Sequence, residues 1–331
     1  MIILLSAADI LQVCAEAGTI RKGETPLAGR KYGLDLGTMN IRIFQGGHGL
    51  VVYEKNMIAT QRKKEVAAIG NDAFEMYERT PASIVISNPV RDGVIADVNN
   101  MNKVAEALLK KCGCTTGFMR NNSFYLAVPS DVTEVEKRAY FDLIAHSAYN
   151  THNIFVVEKP LAAALGENVD VKSKKGMMIV DMGAGTTEIT VITMGGIVVS
   201  KLLKVGGNTI NASICQLVKE RHHLVIGDKT AEYLKLELGH AIPGQGRGKT
   251  VFGRDVITGL PSKAEVSDHL VFDSMKNYLF QVVRTIRNIM ETIPPELSGD
   301  IIENGIYFTG GTTLIPELDR LFNASLRVKV V

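Results

Sequence analysis

Asp35-Leu-Gly-Thr38 and Asp181-Met-Gly-Ala-Gly-Thr-Thr187 share one plan: alternating apolar residues, an aspartate, a glycine turn, then hydroxyl side chains. A tight glycine turn exposes several backbone N–H groups toward one point, which suits an anion. Glycine also lets the backbone approach a phosphate closely and tolerates φ > 0. Thr38, Thr186 and Thr187 add hydroxyl donors. A carboxylate is out of place beside phosphate unless a divalent cation lies between them, directly or through its water shell. Mg2+ fits Asp35 and Asp181 in that role. Two further glycine turns, Val205-Gly-Gly-Asn208 and Thr309-Gly-Gly-Thr-Thr313, make coincidence a poor explanation.

The elements that must hold these turns are legible in outline. Alternation from Lys31 through Ile41, Ile43, Leu50 and Val52 predicts a hairpin around the first turn. Residues 53–89 read as a small charged appendage, and Asn102–Lys111 as an amphipathic helix. Phe124–Val128 reads as a strand. The helix after it is opened by a Thr133/Glu136 capping box, with Val135, Ala139, Leu143 and Ile144 as its apolar face. Ile154–Val157 and an alanine-rich helix entered through Pro160 repeat that arrangement. After the second aspartate turn come a helix begun by Asn208 or Thr209, another over 228–238, a hairpin over 241–258, and the longest helix over 269–291. The last elements are a strand, the Gly310-Gly311 turn and a helix opened by Pro316. Each aspartate turn leads into a second strand, whereas a dinucleotide-binding unit would place a helix there. The repeat predicts an α/β protein of two homologous domains facing one another across a cleft.

Bulk properties agree with that size and exclude other classes. The 331 residues are enough for two domains, and 46% apolar composition is enough to fill their cores. A net charge of +2 gives no reason to expect nucleic acid as the main partner. Four scattered cysteines do not make a disulfide framework, and Cys112-Gly-Cys114 lacks the second pair of a metal site. No apolar run is long enough to cross a bilayer. The N-terminal stretch carries Asp9, Gln12 and Glu16 on one helical face and reads as a docked helix followed by a linker. Gly244-Gln-Gly-Arg-Gly-Lys-Thr250 imitates a phosphate-binding loop but is one residue short, and is expected to be an exposed hairpin turn.

The runs GLDLGTMN (33–40), EKPLAAALG (158–166), MIVDMGAGTTEITVITMGG (178–196), VGGNTINASI (205–214), IGDKTAEYLKLELG (226–239) and FTGGTTLIPELD (308–319) resemble the actin/Hsp70/sugar-kinase superfamily. Within it they resemble the MreB-like bacterial actins, and the resemblance extends in order from residue 31 to about 325. It implies an actin-like ATPase fold. Domain I would cover residues 31–174 with subdomain IB at 53–89, and domain II 175–331 with subdomain IIB at 207–255, after an extension over 1–30. It also implies ATP and Mg2+ as ligands. Asp35, Gly37, Thr38, Met39 and Asn40 would form one phosphate hairpin, and Asp181, Gly183, Ala184, Gly185 and Thr186 the other. Gly206, Gly207 and Asn208 would lie near the ribose, Glu232 and Lys235 would frame the nucleoside, and Gly310, Gly311 and Thr312 would line the adenine and phosphate side. Unaided, the Glu232/Lys235 spacing reads only as a solvent-face pair.

The same resemblance implies self-association into filaments in the cytoplasm, peripheral to the inner face of the cell membrane. Rod cell shape would follow from organising cell-wall synthesis, with wall-synthesis proteins and MreB-family homologues as partners. Phe118, Met119 or the N-terminal segment would touch the membrane. The chain departs from the family at Lys159, where a second glutamate usually orients the attacking water. An ammonium cannot accept a hydrogen bond from water. The catalytic set Glu158, Lys159, Asp35 and Asp181 is therefore expected to turn ATP over slowly. Ala184 stands for a glycine, Thr312 for another, and the sequence stops at Val331 where the family continues. The alternatives are a nucleotide-binding scaffold or regulator with little hydrolysis, a metabolite kinase, or a chaperone, which would need a further substrate-binding domain.

Overall fold

A computed structural model describes residues 30–62, 65–114, 122–149 and 151–331. The chain divides into two compact units. One holds the described residues up to Lys174 together with Thr190–Leu202, and the other holds Lys175–Ile189 and Leu203–Val331. Phe118, Met119 and the N-terminal segment lie outside the described residues.

The first unit begins with β1 (Lys31–Leu36), β2 (Asn40–Gln45), β3 (Gly49–Lys55), β4 (Ile58–Gln61) and β5 (Glu65–Ile69). It continues with α1 (Asn71–Met76), β6 (Ile84–Ser87), β7 (Val90–Arg91), β8 (Val94–Ile95), α2 (Val98–Lys111) and β9 (Asn122–Val128). Then come α3 (Glu134–Ala145), β10 (Thr151–Glu158) and α4 (Lys159–Gly166). Its main sheet has the order β10-β9-β1-β2-β3. β1, β9 and β10 run parallel and β2 turns back antiparallel on β1, so the Asp35 turn joins the parallel part of the sheet to the antiparallel β2–β3 side. Tyr32, Leu34, Ile41, Ile43, Phe124, Leu126 and the inner faces of α2 and α3 form that core. The small sheet β5-β4-β6 carries its own cluster, Met57 and Ala59 against Ala73 of α1.

Two expected core positions differ. Leu50 is exposed, because the β2–β3 register slips between Ile43↔Val52 and Phe44↔Leu50. In α3 the capping box forms as expected, with Glu136 N–H donating to the Thr133 hydroxyl and Thr133 N–H to the Glu136 carboxylate. Val135 is nevertheless 81% exposed. At about 100° per residue it lies opposite Ile144, and Tyr140 takes its place in the core.

The remaining elements are β11 (Met177–Met182), β12 (Thr187–Thr193), β13 (Gly196–Leu203), α5 (Gly207–His222), β14 (Leu224–Val225), α6 (Asp228–Leu238), β15 (Gly248–Asp255) and β16 (Pro261–Ser267). They are followed by α7 (Asp268–Thr292), α8 (Pro295–Asn304), β17 (Ile306–Thr309), a 3-10 turn (Gly311–Leu314) and α9 (Leu318–Leu326). Within the second unit β17 runs parallel to β11, which brings Thr309 level with Asp181. β14, β15 and β16 form a separate antiparallel sheet.

The hairpin expected over 241–258 is displaced to 248–267, with its turn near Asp255, where Asp255 Oδ1 accepts the N–H groups of Ile257 and Thr258. The loop before it is no hairpin turn. Asp268 fastens it by accepting the N–H groups of Gln245, Gly246 and Arg247. The last helix starts after Glu317, whose φ of 62° breaks the chain direction, rather than at Pro316.

Candidate functional site

In the first unit the turn between β1 and β2 is drawn tight enough that a Cβ on Gly37 would sit 2.8 Å from the Asn40 carbonyl. Fully buried Asn56 holds it from below. Its side-chain amide donates to the Gly37 carbonyl at 2.8 Å and its backbone N–H to the Met39 carbonyl at 2.8 Å. The Asn88 amide reaches the Thr38 carbonyl at 3.4 Å. These bonds tie down three consecutive carbonyls. Met39 itself points inward, 8% exposed, so only its backbone belongs to the turn.

Asp35, at the mouth of this turn, meets two cations. Arg42 Nη1 lies 2.9 Å from Oδ2 and Lys159 Nζ 4.0 Å from Oδ1. Arg42 is the cross-strand partner of Asp35 and lies 5.4 Å from the centre of the Tyr53 ring. Lys159 is the first residue of α4, directly after Glu158, which caps that helix without a side-chain bond.

The second unit assembles three of the expected glycine turns into one structure. The hairpin turn after Asp181 is closed by Gly183 N–H donating to the Thr186 carbonyl at 2.8 Å. The Gly206-Gly207 turn then docks on it: Gly207 N–H donates to the Gly183 carbonyl at 3.0 Å and Asn208 N–H to the Ala184 carbonyl at 2.8 Å. The Thr312 hydroxyl donates to the same Gly183 carbonyl at 2.8 Å. The Lys235 ammonium, on α6, donates to the Gly207 carbonyl at 3.1 Å.

Close approach explains these glycines better than their own donors do, since the N–H groups of Gly183 and Gly207 are spent on this framework. A Cβ on Gly206 would fall 2.6 Å from the carbonyls of both Gly183 and Ala184. Only at Gly310 is the conformation itself decisive: φ is +95°, and a Cβ there would meet Met182 O at 2.4 Å and Asp181 Oδ1 at 2.5 Å. Ala184 is not among the described residues with positive φ, so its methyl group is tolerated.

Behind the turns, the Thr187 hydroxyl lies 3.0 Å from the Val205 carbonyl and 2.8 Å from the Tyr278 hydroxyl of α7. Burial pushes the Tyr278 phenol well above its ordinary pKa. This second layer links the β12 start, the approach to α5 and the long helix.

Most of the expected residues are thus gathered in one of two clusters, one in each unit. Asp35, Gly37, Thr38, Met39, Asn40, Glu158 and Lys159 lie in the first unit. Asp181, Gly183–Thr186, Gly206–Asn208, Glu232, Lys235 and Gly310–Thr312 lie in the second. Lys235 does not behave as a solvent-face residue, because it is half-buried against the glycine turn. Arg42 and Asn56 join the cluster of the first unit, and Tyr278 that of the second, without a motif that singles them out. For Arg42 a signal existed: it stands on the second strand, mirrored across the turn from Asp35.

Among the described residues no group of three or more His, Cys, Asp or Glu side chains could hold a metal ion. A divalent cation would therefore need the ligand's own oxygens. Asp181, a buried carboxylate beside the glycine turns, has the chemistry to face such a cation's water shell. Asp35, the other carboxylate expected to face Mg2+, lies beside Arg42 and Lys159. Among the described residues Cys112, Cys114 and Cys215 form no disulfide, and burial pushes the Cys114 pKa up to about 12, which makes it inert.

Residues 29–331 match the family model described as MreB/Mbl protein. The chain belongs to the MreB/Mbl family. It is 36% identical over 307 residues to the cell shape-determining protein MreB of Escherichia coli, covering 90% of this chain and 87% of that one. It is 34% identical over 304 residues to the cell shape-determining protein Mbl of Bacillus cereus, covering 91% and 90%. Among solved structures, MreB5 of Spiroplasma citri bound to AMPPNP superposes with a TM-score of 0.85 at 32% identity, covering 92% of each chain. As an MreB/Mbl protein the chain has the actin-like α/β fold, and the glycine turns stand in an actin-like framework.

Proposed function

We propose that this chain is an ATP-binding, actin-like filament protein that helps to set rod cell shape. The carrying observation is the way Gly183, Gly206-Gly207 and Thr312 are bonded into one framework around Asp181. Backbone packed that closely leaves room for a polyphosphate where side chains would exclude it. The nucleotide-bound MreB5 and the shape-determining names of MreB and Mbl support the same reading.

In this reading both clusters contribute to one nucleotide. Gly37, Thr38 and Asn40 meet its phosphates from one side and Ala184–Thr186 from the other. Glu232 and Lys235 lie toward the nucleoside, with Gly310 and Gly311 along the base. Mg2+, when bound with the nucleotide, supplies charge neutralisation at the phosphates, and Asp181 faces its water shell. Filaments on the inner face of the cell membrane, through Phe118, Met119 or the N-terminal segment, and contact with wall-synthesis proteins belong to the same proposal.

Lys159 favours a variant of this reading in which the chain binds nucleotide, hydrolyses it little, and serves as scaffold or regulator for an active homologue. Sedimentation and negative-stain imaging of the full chain with ATP test the proposal. Nucleotide-dependent filaments support it. A chain that binds no nucleotide by calorimetry, or phosphorylates a small metabolite and never assembles, overturns it.

A further inference from the structure

Thr187, expected from the sequence to offer its hydroxyl to phosphate, is fully buried and spends that proton inward. Its Oγ1 donates to the Val205 carbonyl at 3.0 Å and lies 2.8 Å from the Tyr278 hydroxyl. A threonine hydroxyl carries one proton and a carbonyl can only accept, so the order of the chain is fixed. Tyr278 donates to Thr187, and Thr187 donates to Val205. Burial raises the Tyr278 phenol pKa, so the first donor stays protonated through the neutral range. Successive donations in one direction polarise and strengthen each other.

The two ends of this chain differ in freedom. Tyr278 is anchored on α7, whose Met275, Leu279, Val282 and Ile286 are buried. Val205 stands in the link between β13 and α5, directly before Gly206. That link has no slack. A Cβ on Gly206 would fall 2.6 Å from the carbonyls of Gly183 and Ala184, which accept the N–H groups of Gly207 and Asn208. Thr187 also follows Thr186, whose carbonyl closes the hairpin turn after Asp181. One residue therefore belongs to the hairpin through its backbone and to the Gly206-Gly207 turn through its side chain.

We propose that Tyr278 is a positioning residue of the nucleotide site: acting through Thr187, it holds Val205 and so sets the Gly206-Gly207 turn against the hairpin after Asp181. The inference rests on the nucleotide reading above. It assigns Thr187 to the frame of the site and not to ligand contact, and it makes α7 the fixed post from which the turn hangs.

The test combines ATP titration by calorimetry with amide hydrogen exchange of the ligand-free full chain. Tyr278→Phe keeps the ring and removes the first donor, and is expected to weaken ATP binding about threefold to tenfold. Thr187→Val keeps the shape and breaks both bonds, at an expected cost of about tenfold or more. Thr187→Ser restores the hydroxyl and is expected to bind within about threefold of wild type. Because one chain is cut twice, the double variant should bind no more weakly than Thr187→Val alone. In Tyr278→Phe and Thr187→Val, exchange at Gly207 and Asn208 should accelerate at least about fivefold, while the buried amides of α7 stay as in wild type. That selectivity separates positioning from a general loss of stability, which would speed all of them. Wild-type affinity in Tyr278→Phe overturns the proposal, as do losses that multiply in the double variant. Exchange that is unchanged at Gly207 and Asn208, or that rises everywhere, overturns it too. A wild type that binds no ATP overturns the nucleotide reading and this role with it, even where the exchange data show that the chain holds the turn.

Discussion

The Thr312 hydroxyl and the Gly183 carbonyl, 129 residues apart in sequence, are joined by a 2.8 Å hydrogen bond, and Thr312 is only 8% exposed. This bond clamps the 3-10 turn after β17 onto the turn after β11. Thr312→Val keeps the shape and removes the donor. It is expected to cost about 1 kcal/mol in urea unfolding and to weaken ATP binding severalfold, whereas Thr312→Ser retains both. Valine behaving as wild type in the two measurements would place the clamp outside the site.

Gly310 tests the same framework through the backbone. At φ +95° with Met182 O and Asp181 Oδ1 inside the space of a Cβ, Gly310→Ala is expected to lose about 2 kcal/mol or more of stability. Gly311 has nothing within 4 Å of its Cβ position. Gly311→Ala is therefore the matched control and is expected to unfold within about 1 kcal/mol of wild type. Equal losses at the two sites would show that the close approach at Gly310 does not matter.

Lys159→Glu restores an acceptor for water at the start of α4. Phosphate release by the wild type is expected to be slow, and by the variant at least about tenfold faster, the low end of what a positioned general base contributes. An unchanged rate in a variant that still binds ATP would mean that turnover is limited elsewhere.

Asp268 offers a prediction in pH. Burial alone would raise its pKa, but the N–H groups of Arg247, Gln245 and Gly246 hold it below the ordinary aspartate value. A depressed carboxyl contributes stability above its unfolded-state pKa of about 3.9 and loses it as pH falls through the folded value. Asp268→Ala is expected to be about 1–3 kcal/mol less stable at neutral pH. The gap to wild type should close as pH drops below about 4. A gap that stays constant down to acid pH would show that the carboxylate charge plays no part.

Much of this was legible because short-range chemistry dictated it. Glycine turns, a capping box and alternating apolar strands are written in consecutive residues, and the Asp35 and Asp181 hairpins formed where that pattern placed them. What escaped depends on register and on distant partners. Leu50 looked like core until the β2–β3 pairing slipped by a residue. Val135 fell off the apolar face because a few residues of helix rotate a side chain past the boundary. Lys235 is remote from Gly207 in sequence and touches it only after α5 and α6 pack. The hairpin near 250 moved because Asp268, just beyond β16, captures the loop that composition alone made look like a turn. Arg42 meets Asp35 only through the β1–β2 register, which the alternation alone does not specify.

The joined glycine turns of the second unit bear on how the protein matures. Its three turns come from residues near 183, 206 and 311, and the bonds that join them span up to 129 residues. Closing loops of that length precedes any reward from the contacts they bring. A chain whose β17 segment has not yet docked therefore lacks the Thr312 contact that completes this framework. Under the proposed nucleotide reading, binding would favour molecules whose β17 segment has already docked.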